Sequence, residues 1–228
     1  MSGNWQAASR TIRGGRAYQE DDCLVASLRD GGGRGSILAV LADGMGGDAG
    51  GAVASGLATR SFVDAFRALD TEMGDRLKAS LSAANESIAV RAENEPGLAG
   101  MGCTLVGLVA SDRRLEWISV GDSPLWLFSD GRLRRLDEDH SMAPLLQARV
   151  ERGDITPAAA ASHPTRNALR SAVIGEDIPM VDLAAMDYRA QPGDMIILAS
   201  GGLCSLDDEA IAAVLSRQND SDAQAVAD

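Results

Sequence analysis

Ile37-Leu38-Ala39-Val40-Leu41-Ala42-Asp43-Gly44-Met45-Gly46-Gly47 is the stretch on which the reading of this chain turns. Its apolar run predicts a strand buried on both faces. The run ends on a carboxylate followed by three glycines within four residues. An Asp at the end of a buried strand carries a large desolvation cost unless positive charge sits beside it. Glycines lack Cβ, so backbone carbonyls and a ligand can approach that carboxylate closely. A hard cation such as Mg²⁺ or Mn²⁺, held by carboxylate, carbonyl and water oxygens, fits the pattern. The same residues also suit a strand-to-helix turn in which Asp43 caps a helix from about residue 51 to 69.

Upstream, residues 11–22 read TIRGGRAYQEDD and lead into an apolar strand, residues 23–28. The glycine-rich residues 30–35 then form a hairpin connection. If the two strands are antiparallel neighbours, Glu20 and Asp21 lie near Asp43. Arg16 precedes them, after a double glycine. Downstream, residues 51–69 and 76–93 carry apolar side chains at helical spacing and predict two amphipathic helices that cover a sheet. Residues 103–110, 115–120, 124–128 and 132–136 are short strands separated by tight turns, an antiparallel meander. Asp139-His140-Ser141 opens a less regular stretch to about residue 164, with short helices at 143–151 and 157–161, which has the character of a flap. Residues 167–173 read as helical or bent, 181–188 and 195–199 as strands, and 207–215 as a helix begun by acidic residues, as the helix dipole favours. The polar and then Ala-rich end of the chain reads as the start of another helix. Antiparallel connections dominate, and no repeat or linker divides the chain. The expectation is a single α+β domain, a layered sandwich rather than a doubly wound parallel sheet.

Composition narrows the chemistry. A formal charge of −12 argues against nucleic acid or anionic membrane as partners. No secretory signal or membrane-length apolar run is read. The three cysteines are far apart, without a CxxC, and read as small buried residues in a reducing bacterial cytoplasm. With two histidines, a zinc site or a Ser-His-Asp triad has little material. Carboxylates and hard metals are left to carry any chemistry.

Five signatures then occur in order: Arg16 to Asp21, LADGMGG (41–47), GCT (102–104), VGDS (120–123) and DHS (139–141). HPTRNALRSAVIG (163–175) and GDMIILAS (193–200) extend the series. Through these motifs, from about residue 12 to 215, the sequence resembles the Mg/Mn-dependent type 2C serine/threonine protein phosphatases, with the bacterial form the closer match. The resemblance implies an αββα sandwich of two mostly antiparallel sheets flanked by helices, with two Mn²⁺ or Mg²⁺ ions at one end. It implies a metal-activated water that attacks the phosphorus of phosphoserine or phosphothreonine directly. Arg16 matches the family's phosphate-holding arginine, whose planar fork suits two phosphate oxygens. Asp43 matches the bridging ligand, the Gly44 carbonyl a further ligand, and Glu20 a carboxylate acting mostly through water. Asp21 matches its neighbour behind, and Asp122 the acid that recruits a third, weaker ion. The implied partner is a phosphorylated protein, the target of a cognate Ser/Thr kinase, and the implied state is a monomer.

Several positions depart from the family pattern. Met45 stands where eukaryotic members have histidine, and His140 reads as a buried structural residue. Pro124 replaces an arginine that commonly follows GDS. Gly201 stands where the family's SDGL motif supplies a metal-binding Asp. The family's closing C-terminal strands, with their Asp-Asn pair, are not read before Asp228. These departures lead to the expectation of a weakened second ion and impaired turnover. They keep open an alternative, a phosphoprotein-binding module without turnover.

Overall fold

The computed structural model describes residues 5–15, 18–29, 35–46, 50–218 and 223–227. Two antiparallel sheets stack between layers of helices. The larger sheet has the order β1 (Asp21–Arg29), β2 (Gly35–Met45), β4 (Leu105–Ala110), β5 (Arg114–Val120), β8 (Asp182–Asp187), with the short β3 (Gly102–Cys103) on the end of β2. The smaller sheet runs β7 (Arg132–Arg135), β6 (Leu125–Ser129), β9 (Met195–Leu198). The α+β sandwich expected from the sequence is therefore present.

Alternation along the strands builds the layers. On β4, Leu105 and Val109 join the core under α1 (Gly50–Ala68) and α2 (Met73–Asn94), together with Phe62, Phe66, Leu77 and Ile88. The intervening Val106, Leu108 and Ala110 face the other way and meet Leu125, Ile196 and Leu198 of the smaller sheet. Trp126 and Phe128, on the far face of β6, pack against Ile211 and Leu215 of α5 (Asp208–Ser216). Asp207 caps α5 by accepting the Ala210 N–H at 2.7 Å.

The deciding strand differs from its expectation. In β2, Leu38, Val40 and Ala42 are buried, whereas Ile37, Ala39 and Leu41 are only half covered. The first set lies beneath the helices. The second faces the smaller sheet, whose three described strands stack over β4, β5 and β8 and leave β1 and β2 partly covered. Cys23 pairs with Leu41 on that face and is half-buried. Cys204 is exposed on the single turn Leu203–Ser205, so only Cys103 is buried as expected.

Both long helices and the helical segments at 143–151 (α3) and 157–161 (α4) occur as read from the sequence. The expected meander is split: β4 and β5 pair in the larger sheet, and β6 and β7 in the smaller one. The turn at residues 121–124 carries the chain from one sheet to the other instead of joining paired strands. Residues 167–173 form turns, held by bridges from Val173 to Cys103 and from Leu169 to Ser141. The chain's last described element is the short helix α6 (Ala223–Ala227). No described helix is long and apolar enough to cross a membrane.

Candidate active site

β1 and β2 pair in a register that sets Asp21 directly opposite Asp43. Directly opposed residues share a sheet face, and like charges so placed repel. The chain following β9 reaches over this pair. Ser200 donates its hydroxyl to Asp21 Oδ2 at 2.9 Å, and the Gly201 N–H donates to Asp43 Oδ2 at 3.1 Å. Asp22, on the opposite face, accepts a hydrogen bond from the Thr59 hydroxyl of α1. One-residue alternation thus separates a carboxylate used to anchor a helix from one placed at the site.

The backbone of Asp43 is fixed by Thr104, which accepts the Asp43 N–H at its hydroxyl (3.1 Å) and donates its own N–H to the Asp43 carbonyl (2.9 Å). The Thr104 hydroxyl lies 2.7 Å from that of Ser123 in a buried contact. The GCT and GDS motifs are tied together at this point.

Gly44 donates its N–H to the Glu20 carbonyl at 3.1 Å, and Ser55 of α1 donates to the same carbonyl at 2.6 Å. A Cβ on Gly44 would lie 2.2 Å from the Gly51 carbonyl oxygen, and one on Gly51 would lie 2.7 Å from Glu20 Oε1. Only glycine permits this approach, which brings the Glu20 carboxylate to the first turn of α1, where the helix dipole favours negative charge.

Asp122 lies half-buried in the turn after β5. Burial pushes its carboxyl upward from the ordinary carboxylate range, Asp139 adds to this, and Arg135 opposes it. His140 is buried and structural: its Nδ1 accepts the Gly121 N–H at 3.2 Å, and its own N–H donates to the Gly121 carbonyl at 3.0 Å. The Cys103 thiol is held well above its usual range by burial and by the charge of Asp43, which leaves it protonated and unreactive.

The structure therefore brings Glu20, Asp21, Asp43, Gly44 and Gly201 together, with Asp122 joined to Asp43 through Thr104 and Ser123. Arg16 and Gly47 lie outside the described residues. The donors are hard oxygens, the class that magnesium and manganese take. Yet no group of three or more His, Cys, Asp and Glu side chains placed to hold an ion occurs among the described residues. Beside Asp43 Oδ2 stands the backbone N–H of Gly201.

Residues 14–220 match the family model described as protein phosphatase 2C. The chain belongs to the protein phosphatase 2C family. It is 36% identical over 200 residues to the serine/threonine protein phosphatase PstP of Mycobacterium tuberculosis, covering 86% of this chain but only 36% of that protein's length. The crystal structure of M. tuberculosis PstP/Ppp superposes with a TM-score of 0.68, over 87% of this chain and 79% of that one. The serine/threonine phosphatase stp of Listeria monocytogenes is 34% identical over 206 residues, 88% of this chain and 78% of the relative. A solved PstP catalytic domain in complex with two manganese ions matches at 29% identity and a TM-score of 0.69, over 97% of this chain and 84% of that one.

The structure gives roles to residues that the motifs contain but did not single out: Thr104 fixes the Asp43 backbone, Ser123 meets the Thr104 hydroxyl and Ser200 donates to Asp21. Arg135 and Asp137 gather around Asp122. The hydroxyls fall inside or beside the quoted motifs, and their spacing gave no separate signal. Arg135 lies in the strand read at 132–136 and Asp137 just after it, and the sequence singled out neither.

Proposed function

We propose that this chain is the catalytic domain of a bacterial, cytoplasmic, metal-dependent serine/threonine protein phosphatase whose turnover is impaired at Gly201. The observation that carries the reading is the Asp21–Asp43 pair, two carboxylates opposed across neighbouring strands and overhung by Ser200 and Gly201. Family membership and the manganese complex of a relative support the ligand class. The proposed substrates are phosphoproteins made by a cognate Ser/Thr kinase, and the proposed state is a monomer.

Asp43, the Gly44 carbonyl and Glu20 are the residues that would hold Mn²⁺ or Mg²⁺, with Asp21 behind them and Asp122 at a weaker position. When bound, such ions supply an acidified water as nucleophile and neutralise charge on the phosphoryl group. Thr104 fixes the backbone from which Asp43 projects, Gly44 and Gly51 admit Glu20 beside the α1 N-terminus, and Arg16 orients the phosphate oxygens.

A Cβ at residue 201 would lie 3.7 Å from Asp43 Oδ2, an ordinary contact. An aspartate fits there without strain and would add the missing oxygen donor. A charge-assisted contact contributes about 1.5–3 kcal/mol, so Gly201→Asp should tighten Mn²⁺ binding by roughly tenfold or more. The experiment is calorimetric Mn²⁺ titration and hydrolysis of a small aryl phosphate by this chain, Gly201→Asp and Asp43→Ala. Turnover that rises with Gly201→Asp and vanishes with Asp43→Ala supports the enzyme. The absence of three grouped ligands among the described residues favours a second reading, a module that binds phosphoprotein without hydrolysis. Metal-independent phosphoprotein binding, with no turnover even in Gly201→Asp, would establish the module instead.

A further inference from the structure

One guanidinium gathers three segments around Asp122. Arg135, the last residue of β7, donates from Nε to Asp137 Oδ1 at 2.9 Å and from Nη2 to Asp137 Oδ2 at 3.3 Å. The same Nη2 donates to the Asp122 carbonyl at 3.1 Å, and Nη1 lies 3.4 Å from Asp139 Oδ2. Asp137, whose side chain is fully buried, also accepts the Leu125 N–H at 2.8 Å. Asp139 Oδ1 accepts the Ser141 N–H at 2.8 Å. The turn after β5, the start of β6 and the Asp139–Ser141 turn are therefore all referred to a single planar group.

We propose that Arg135 is the positioning residue of this site, fixing Asp122 and Asp139 relative to Asp43 through its fork. Arg135 hydrogen-bonds Asp122 at the backbone carbonyl and not at the carboxylate, while its charge favours the ionised carboxyl. Asp137 balances the guanidinium from behind and sets its plane. Lysine has the charge but no fork, and cannot serve Asp122, Asp137 and Asp139 together. The inference rests on Asp122 being a cation ligand of the site proposed above.

Outer residues that orient metal ligands typically change affinity by about 10–100-fold when replaced. Arg135→Gln and Arg135→Lys should both weaken, by roughly tenfold or more, the Mn²⁺ binding that survives Asp43→Ala, and leave the Asp43-dependent component within about twofold. Both should also shift the amide resonances of Gly121 to Ser123 and speed hydrogen exchange at Leu125 and Ser141 in the metal-free chain. Loss in Gln with full retention in Lys would reduce the role to charge and overturn the proposal. A lower melting temperature with unchanged Mn²⁺ binding would make Arg135 merely structural, also overturning it. So would a chain that binds no Mn²⁺ outside the Asp43 component. A chain that passes these tests but hydrolyses no phosphoester sinks the phosphatase reading and leaves Arg135's role standing.

Discussion

At the level of single residues, this site is organised by what cannot be substituted. Asp43 projects from a backbone clamped by Thr104, and Gly44 and Gly51 are small because Glu20 stands against them. Gly51 was read only as the start of a helix, whereas Glu20, Asp43 and Gly44 were legible as motifs. Thr104, Ser123 and Ser200 were not, since a hydroxyl's role depends on a partner 19 to 179 residues away. His140 illustrates a residue read correctly and given a consequence by the structure. Burial holds its imidazole below the usual value of 6.5, with nearby acids opposing, and Nδ1 must stay unprotonated to accept the Gly121 N–H. A base whose folded-state pKa is depressed contributes fully above its unfolded value and loses that contribution as pH falls through the folded value. Thermal unfolding between pH 7.5 and 5 should therefore show a decline that begins near 6.5. His140→Gln should lower the melting temperature at neutral pH and flatten the decline. Parallel curves for the two proteins would mean that another group drives the acid loss.

Among the elements, the antiparallel pairing of β1 and β2 does most to build the site, because its register brings residues 21 and 43 face to face. Apolar runs and the glycine-rich sequence between them made that pairing readable. The partial cover of the β2 outer face was not readable, since it depends on how far the smaller sheet extends. The segment carrying α3 and α4, read from the sequence as a flap, is the other element whose role can be tested. Leu146 is buried, Met142 donates its N–H to the Ala168 carbonyl, and Thr156 caps α4. A pocket of about 360 Å³ lies between the two helices, lined by Asp139, Pro144, Pro157 and Arg166 among others. Its contact with Asp139 links it to the Arg135 cluster, so a protein substrate resting there would lie beside the site. Replacing residues 143–161 with a short linker should reduce kcat/KM on a phosphoprotein by at least about tenfold, the order of one well-buried contact set. Hydrolysis of a small aryl phosphate should change far less. Equal losses on the two substrates would remove the flap from substrate selection.

Across the whole molecule, three apolar layers hold the sheets and helices in register, and the site sits where β1, β2, the β5–β6 turn and the end of β9 converge. The layers were predictable from alternation and helical spacing, whereas the convergence needed the fold. The charge is the remaining global property: −12 in all, with Glu20, Asp21, Asp43, Asp122 and Asp139 at or near the site. On the proposed function a phosphorylated substrate would also carry negative charge, so long-range forces would oppose its approach. Flanking charge on the substrate should then decide the encounter rate. Steering of this kind changes association by a factor of about 10 to 10³ and fades as salt shortens the Debye length to roughly 8 Å at physiological ionic strength. Two phosphothreonine peptides identical except for Arg or Glu flanks separate the effect. At low salt the Arg-flanked peptide should have the higher kcat/KM, on the order of tenfold, with similar kcat. Raising NaCl should lower its kcat/KM and raise that of the Glu-flanked peptide until the two converge. Gly201→Asp provides the measurable background if the parent turns over slowly, and its added carboxylate preserves the sign of the field. A salt response of the same direction in both peptides would show that local contacts, rather than the acidic field of the molecule, choose the substrate.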